Sequence, residues 1–106
     1  AKIVDAWAQS ESYALSIYHT ASKLMDGGSI GPASSLGKIF WSELDYMMHE
    51  TALKILGANA ELDTAEHQDA AQWIKGFMFS YAGPIYAGTN EIQKNIIAER
   101  LLGLPR

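Results

Sequence analysis

The sequence predicts an all-α fold: an antiparallel helical bundle with three long helices and a shorter terminal helix. Three observations support this. Apolar residues recur at three- and four-residue steps, the spacing that places them on one face of a helix. Short clusters rich in glycine, proline and serine separate these segments, and short connections favour antiparallel neighbours. No segment shows the apolar–polar alternation of a strand flanked by turn residues.

The first predicted helix runs from the start of the chain to Gly27-Gly28, a glycine pair of the kind that caps a helix C terminus. A glycine-rich connection from Asp26 to Ser34 follows. Because it comes after a helix and lacks the lysine of a phosphate-binding loop, we interpret it as a flexible connection. The apolar stripe of this helix consists of Ile3, Trp7, Ala14, Ile17, Tyr18, Ala21, Leu24 and Met25.

The second predicted helix begins near Pro32, with Ser34 or Ser35 as its N-cap, and stops at Gly57. Its stripe extends over about six turns. The stripe consists of Leu36, Ile39, Phe40, Leu44, Met47, Thr51, Ile55 and Leu56.

The third predicted helix starts near Thr64 and is interrupted at Gly83-Pro84, because proline lacks a backbone donor and clashes with the preceding turn. Aromatic residues lie on more than one of its faces: Trp73, Phe77, Phe79 and Tyr81. A helix that is apolar all round is a buried helix. In a chain of this size, that pattern indicates burial against a partner.

The terminal predicted helix has Thr89 as its N-cap and Asn90-Glu91 in its first turn. Its expected buried face consists of Ile92, Ile96, Ile97 and Leu101, and Gly103 with Pro105 ends it. Three long helices leave a groove that a fourth would close. The sequence therefore predicts that an element or a partner subunit is missing from this bundle.

Length and composition limit the classes of function. The 106 residues predict one domain over positions 1–106, and the absence of cysteine excludes disulfide scaffolds and thiolate chemistry. A net charge of −4 argues against nucleic acid and anionic membranes as partners. No apolar run is long enough to span a membrane, and the first residues do not resemble a secretory signal. We therefore expect a cytoplasmic protein.

No metal site is expected. His49-Glu50 begins like a zinc-protease motif, but Leu53 stands where the second histidine is needed, and His19 and His67 are isolated. Four acidic residues lack the spacing and the central glycine of a calcium-binding loop: Glu61, Asp63, Glu66 and Asp69.

The stretch from Ile85 to Arg106 is the most informative part of the chain. A glycine-flanked turn leads into a helix N terminus at Thr89, where free backbone N–H groups suit an anion or the polar edge of a cofactor. Helix capping alone would explain the same residues. The pattern by itself therefore predicts a helical domain with a helix start that is suited to a ligand.

Three sequence blocks in this stretch resemble the carboxyl-terminal signature of acyl-CoA dehydrogenases: YAGTNEIQ (86–93), NIIAER (95–100) and LGLPR (102–106). The segment Ala33 to Ala60 ends in LKILGAN and resembles the family helix that ends in a glutamine-containing, double-glycine turn. The tetrapeptide FWSE (40–43) resembles the bacterial, particularly the actinobacterial, branch.

The resemblance implies a flavoenzyme with an α-helical amino domain, a β middle domain and a carboxyl-terminal helical bundle. This chain corresponds to most of that bundle without its first helix, which accounts for the expected groove. The implied reaction is α,β-dehydrogenation of an acyl-CoA thioester with FAD. The implied partners are the acyl-CoA substrate, the rest of the chain, and further subunits of a homo- or hetero-oligomer, a dimer or tetramer. The chain alone is expected to be inactive.

The resemblance also assigns residues. It implies FAD contacts at Thr89, Asn90 and Glu91, and places Ile85 and Tyr86 near the flavin and the acyl pocket. The turn implied to reach the FAD of a neighbouring subunit consists of Lys54, Ile55, Leu56, Gly57 and Ala58. Lys54 stands where glutamine is usual and Ala58 where glycine is usual.

The usual position of the catalytic base is Ala87, which cannot accept a proton, so no catalytic residue is expected within this chain. Three alternatives remain: a base on the missing first helix, a base on a partner subunit, or a non-catalytic protein. The last alternative describes a helical interaction module that completes a partner's flavin site or supports assembly. A glutamate on the helix upstream of Ala1 would favour the enzyme.

Overall fold

The computed structural model describes residues 1–61 and 68–106, and every regular element in these two ranges is helical. Helix α1 spans Lys2–Met25, α2 spans Ser34–Leu56, α3 spans Gln68–Ser80 and α4 spans Asn90–Ile96. Short 3₁₀ turns at Gly31–Ala33 and Gly57–Glu61 flank α2, and a π-helical turn at Ile97–Leu101 extends α4. The all-α prediction is confirmed.

Some of the expectations concern residues outside the described ranges. The predicted start of the third helix near Thr64 is one of them. The others are Asp63, Glu66 and His67, and Asp69 is described only as part of the α3 backbone.

The predicted helix ends agree with the structure. At the end of α1, Gly27 has φ +84°, its N–H donates to the carbonyl of Leu24 (3.1 Å), and the Gly28 N–H donates to that of Lys23 (2.8 Å). At the end of α2, Gly57 has φ +58° and donates to the carbonyl of Leu53. Glycine is suited to both positions because left-handed backbone is costly for residues with a Cβ atom.

The predicted N-cap of α2 is wrong. Ser34 is the first helical residue, and its hydroxyl donates to the Gly31 carbonyl (3.0 Å) instead of accepting from the helix. The 3₁₀ turn Gly31–Ala33 runs directly into α2, and its carbonyls already accept the backbone N–H of Ser34. The preceding turn therefore takes the place of a side-chain cap.

Helix α2 is the centre of the fold. Tyr13 of α1 stacks on Phe40 at 5.8 Å between ring centroids, whereas Phe77 of α3 lies 5.7 Å from Tyr46. Phe40 and Tyr46 are six residues apart, and at 3.6 residues per turn their directions differ by about 120° around α2. Helix α1 and helix α3 therefore pack on two different faces of α2.

The interface between α2 and α3 is close at Gly76. A Cβ atom at this position would lie 2.8 Å from Cδ2 of His49 and closer still to its Nε2. The imidazole is held by the Asp45 carbonyl, 2.9 Å from Nδ1, and by the edge of Trp73, with ring centroids 5.5 Å apart. Glycine therefore makes room for a histidine that α2 and α3 hold together.

The described fold is elongated and open. Its radius of gyration is 17.0 Å, whereas about 13 Å is typical of a compact chain of this length. Most of the apolar stripe of α1 is left exposed and does not pack on α2: Trp7 is 65% exposed, Tyr18 70% and Met25 87%. The α1 residues on the α2 side are instead the half-buried Ala6, Ser10, Tyr13 and Ala14.

The expected buried face of α4 is also largely uncovered. Ile92 is 51% exposed and Leu101 47% exposed, while Ile96 and Ile97 are half-buried. That prediction is wrong for Ile92 and Leu101, because the described helices leave both side chains about half exposed, whereas the buried residue of α4 is Asn90, which faces α2.

A cavity of about 380 Å³ lies between α1 and α2. Its lining is mostly apolar and includes Tyr13, Leu36, Ile39 and Phe40, with Glu43 at its edge. Among the described helices, none is long and apolar enough to cross a membrane.

Candidate functional site

The candidate site is the turn that joins α3 to α4. Helix α3 ends at Ser80, just before Gly83-Pro84, as the proline predicts. Gly83 is buried against α2: a Cβ atom there would lie 3.2 Å from Cβ of Ser42 and 3.5 Å from the Trp41 ring. The turn therefore rests directly on the central helix.

Two successive left-handed residues shape this turn. Ala87 has φ +54° and Gly88 has φ +88°, and Ala87 is the only non-glycine residue with positive φ in the described ranges. The Gln93 side chain donates to the Ala87 carbonyl (3.1 Å), and a Cβ atom on Gly88 would lie 2.8 Å from its Nε2. Strained backbone of this kind tends to occur at functional sites. The methyl side chain of Ala87 is exposed and has no group that could accept a proton.

The start of α4 follows the prediction. Thr89 is the N-cap, and its hydroxyl oxygen accepts from the Ile92 N–H at 3.2 Å. Glu91 lies exposed in the first turn, where a negative charge interacts favourably with the helix dipole. Thr89 and Glu91 therefore present oxygen atoms at the surface beside the turn.

Asn90 points the other way, into the protein. It is 4% exposed; Nζ of Lys38 donates to its Oδ1 (2.8 Å), and its Nδ2 donates to the Ser42 hydroxyl (3.1 Å). The Ser42 hydroxyl donates in turn to the Ile39 carbonyl (3.1 Å), and the Asn90 N–H donates to the Pro84 carbonyl (2.9 Å). Asn90 thus links the turn and α4 to α2.

Ile85 and Tyr86 form the apolar part of the site. Ile85 is 65% exposed and Tyr86 43% exposed. The Tyr86 ring lies 6.0 Å from that of Trp41 and 6.5 Å from that of Phe79. The turn therefore presents an apolar, partly aromatic surface next to the polar start of α4.

The second predicted group, Lys54 to Ala58, lies at the far end of α2. Nζ of Lys54 is 3.3 Å from Oε1 of Glu50 in an exposed ion pair, Ile55 is 64% exposed, Leu56 is half-buried, and Gly57 and Ala58 are exposed. From Ser42 to Gly57 the helix rises about 22 Å. The fold therefore does not bring the two predicted cofactor-binding groups together within one chain.

Sequence reasoning did not identify Lys38, Trp41 and Ser42 as parts of this site. A signal exists in the sequence, because Lys38 and Ser42 are polar residues four apart on a largely apolar helix, and that spacing places them on one face. Among the described residues, no cluster of three or more histidine, aspartate or glutamate side chains could hold a metal ion.

Comparison with protein families identifies the family of the chain. The model of the acyl-CoA dehydrogenase C-terminal domain matches residues 1–102. The chain belongs to this family. Acyl-CoA dehydrogenase IpdE1 of Mycolicibacterium smegmatis is 43% identical to it over 72 residues, and IpdE1 of Mycobacterium tuberculosis is 38% identical over 72 residues. No solved structure matches the chain.

Both acyl-CoA dehydrogenase relatives are actinobacterial, in agreement with the resemblance of FWSE (40–43) to that branch. Each alignment covers 68% of this chain and 18% of the relative. The aligned part of the chain therefore spans about a fifth of the length of these acyl-CoA dehydrogenases.

Proposed function

We propose that this chain is the carboxyl-terminal domain of an FAD-dependent acyl-CoA dehydrogenase and serves α,β-dehydrogenation of an acyl-CoA thioester by contributing to FAD binding and subunit assembly. The observation that carries the proposal is the turn over residues 85–91. It combines an exposed apolar pair, two left-handed residues and a capped helix start at which Glu91 is exposed. The family match over residues 1–102 supports this assignment. A cytoplasmic location is part of the same proposal.

The polar half of the turn fits the hydroxyl-bearing parts of FAD. The Glu91 carboxylate and the Thr89 hydroxyl can accept hydrogen bonds from sugar or ribityl hydroxyls. The negative charge of Glu91 would repel a diphosphate at the same place. Lys54 carries the complementary charge near the other end of α2, about 18 Å along the helix from Ser42, so we propose that Lys54 to Ala58 serve the FAD of a neighbouring subunit.

The apolar half of the turn fits the reacting end of the substrate. Ile85 and the Tyr86 ring, backed by Trp41, form a surface that can exclude water from an acyl chain and a flavin ring. FAD, when bound, supplies the acceptor for the β-hydride. Because Ala87 cannot accept the α-proton, we propose that the base comes from another part of the full-length chain or from a partner subunit.

The test is a visible spectrum of the full-length protein, purified with its partners, before and after addition of acyl-CoA thioesters. A flavin band that bleaches on addition is the expected result and means a competent dehydrogenase. Absence of flavin from the native protein would contradict the proposal.

The proposed contribution of the start of α4 to FAD binding can be tested by substitution of Glu91, an exposed residue of this helix. Glu91→Gln is expected to weaken FAD binding about tenfold, because hydrogen bonds to a charged acceptor are stronger than those to a neutral amide. Glu11→Gln on the exposed surface of α1 is the matched control and should retain FAD like the wild type. Equal FAD affinity in both variants would remove Glu91 from the site.

Ala87 favours one alternative, a non-catalytic acyl-CoA dehydrogenase-like subunit or helical interaction module. Such a subunit would carry no base of its own and would complete the flavin site of a partner. It would show a flavin band that no acyl-CoA bleaches until the partner is added. A glutamate on the helix that precedes Ala1 in the full-length chain would argue for the enzyme instead.

A further inference from the structure

We propose that Asn90 is a positioning residue: with Lys38 and Ser42 it holds the turn of residues 85–91 on α2. On this view Asn90 acts on bound FAD through Thr89 and Glu91 and does not touch the cofactor itself. The inference rests on the proposed function, because the positions of the Thr89 and Glu91 side chains affect FAD binding only if this domain contributes to the FAD site.

The burial of Asn90 is the first argument. Its side chain is 4% exposed in a fold where several large apolar side chains are more than half exposed. A buried amide is costly unless its polar atoms are paired. Oδ1 accepts from Lys38, Nδ2 donates to Ser42 and the backbone N–H donates to Pro84. These contacts direct the polar atoms of Asn90 toward the protein.

The partners of Asn90 are the second argument. Ser42 is fully buried, and Lys38 is half-buried, with its ammonium group 2.8 Å from Oδ1 of Asn90. Both residues lie on α2: Lys38 is 52 positions before Asn90, and Ser42 is 48 positions before it. Hydrogen bonds between such distant positions depend on the tertiary fold, so they tie the start of α4 to one place on the central helix.

The rest of the turn is held at the same place on α2. Gly83 packs on Ser42 and Trp41, and the Tyr86 ring lies beside the Trp41 ring. Asn90, the first residue of α4, makes the last contact in this series. Thr89 and Glu91 are its immediate neighbours, so a shift of Asn90 would move both of them.

The test uses the full-length protein that contains this chain, purified with its partners. The variants are Asn90→Ala, Lys38→Met and the double variant. Asn95→Ala and Lys94→Met on exposed positions of α4 are the matched controls. Two quantities are measured: amide hydrogen exchange of the peptide over residues 83–92, and the Kd for FAD.

The proposal expects exchange of the 83–92 peptide to accelerate and the Kd for FAD to rise, each about tenfold, in Asn90→Ala, because a paired buried group is lost. Lys38→Met should change both quantities in the same direction, although Lys38 is not part of the proposed FAD site. The double variant should show no faster exchange and no higher Kd for FAD than Asn90→Ala, because both substitutions remove the same hydrogen bond between Lys38 and Asn90. The two controls should behave like the wild type.

Two results would overturn the inference. One is exchange of the 83–92 peptide at the wild-type rate in Asn90→Ala. The other is weakened FAD binding in Asn90→Ala together with wild-type binding in Lys38→Met, which would make Asn90 a direct FAD contact. A wild-type protein that binds no FAD would instead refute the proposed function, and hydrogen exchange would still decide whether Asn90 holds the turn.

Discussion

At the scale of single residues, the candidate site combines strained backbone with a side chain that has no proton-accepting group. Ala87 adopts φ +54°, a conformation that costs a residue with a Cβ atom about 1–2 kcal/mol. The neighbouring contacts hold it there: Gln93 donates to its carbonyl, and Gly88 continues the left-handed turn. The turn therefore holds a left-handed backbone at a residue that cannot accept a proton.

The raised pKa of Tyr46 predicts that the stability of the fold depends on pH in the alkaline range. The hydrogen bond between the Tyr46 and Tyr81 hydroxyls (3.4 Å) raises the pKa of Tyr46 above its ordinary value of 10.0, and desolvation and the charges of Tyr81 and Glu50 add to this. The folded state therefore holds the phenol proton to a higher pH than the unfolded state does. The stability that this proton contributes is fully present below pH 10.0 and is lost as the pH rises through the raised pKa.

The expected outcome is that Tyr46→Phe makes stability fall less steeply above pH 10.0. Denaturant midpoints measured across that range check the expectation, together with a phenolate absorbance titration. Tyr18→Phe is the control, because Tyr18 is 70% exposed on α1. The same alkaline slope in Tyr46→Phe as in the wild type would contradict the assignment.

At the scale of elements, contacts with α2 position the other described helices and the turn of the candidate site. Helix α2 contacts α1 and α3 through two different faces, and its first half also holds the turn and the start of α4. The contact of α2 with α3 depends on the pairing of a glycine with a histidine. Gly76 leaves the space that the His49 ring occupies between Asp45 and Trp73.

Gly76→Ala tests this packing. Alanine is the better helix former by about 1 kcal/mol, but overpacking a well-filled interface costs about 1–3 kcal/mol. Because His49 is held on two sides, we expect a net loss of stability, measured by urea unfolding. Gln72→Ala on the exposed face of α3 should show no such loss.

The double variant His49→Ala/Gly76→Ala separates the clash from other effects. If the new methyl group clashes with the imidazole, the double variant should be more stable than the sum of the two single changes predicts. Additive effects, or a stabilised Gly76→Ala single variant, would show that the histidine does not limit this interface.

At the scale of the whole molecule, the fold leaves unusually large apolar areas uncovered. Trp7, Tyr18 and Met25 on α1 and Met78 and Phe79 on α3 are each more than 60% exposed. Large exposed apolar patches mark interaction sites. This is the structural basis for proposing that the chain works within a longer protein and an oligomer.

Trp7→Glu tests whether the outer face of α1 is covered in the assembled protein. Burial of a large apolar side chain contributes about 1.5–3 kcal/mol, so a charge there should weaken assembly about tenfold or more. Sedimentation velocity on the full-length protein measures the assembly. Gln9→Glu, an exposed change on the same helix, should leave it intact. Wild-type assembly and stability in Trp7→Glu would show that this face stays open.

The sequence by itself determined the class of the fold, the C-terminal ends of α1 and α2, the N-cap of α4 and the family. The stops at Gly27 and Gly57 and the cap at Thr89 could be predicted because they depend on residues within one turn of each other. The signature over 86–106 identified the family because it is a local string of residues. The Ser34 or Ser35 cap was wrong because the preceding 3₁₀ turn took its place.

Only the tertiary structure decided which faces of the helices are buried and which are exposed. It turned Asn90 inward onto Lys38 and Ser42, left Ile92 and the stripe of α1 exposed, and separated Lys54 to Ala58 from the start of α4. Periodicity shows that a helix has an apolar face, but it does not show what covers that face. The answer depends on contacts between residues that lie far apart in the chain, and no local pattern contains them.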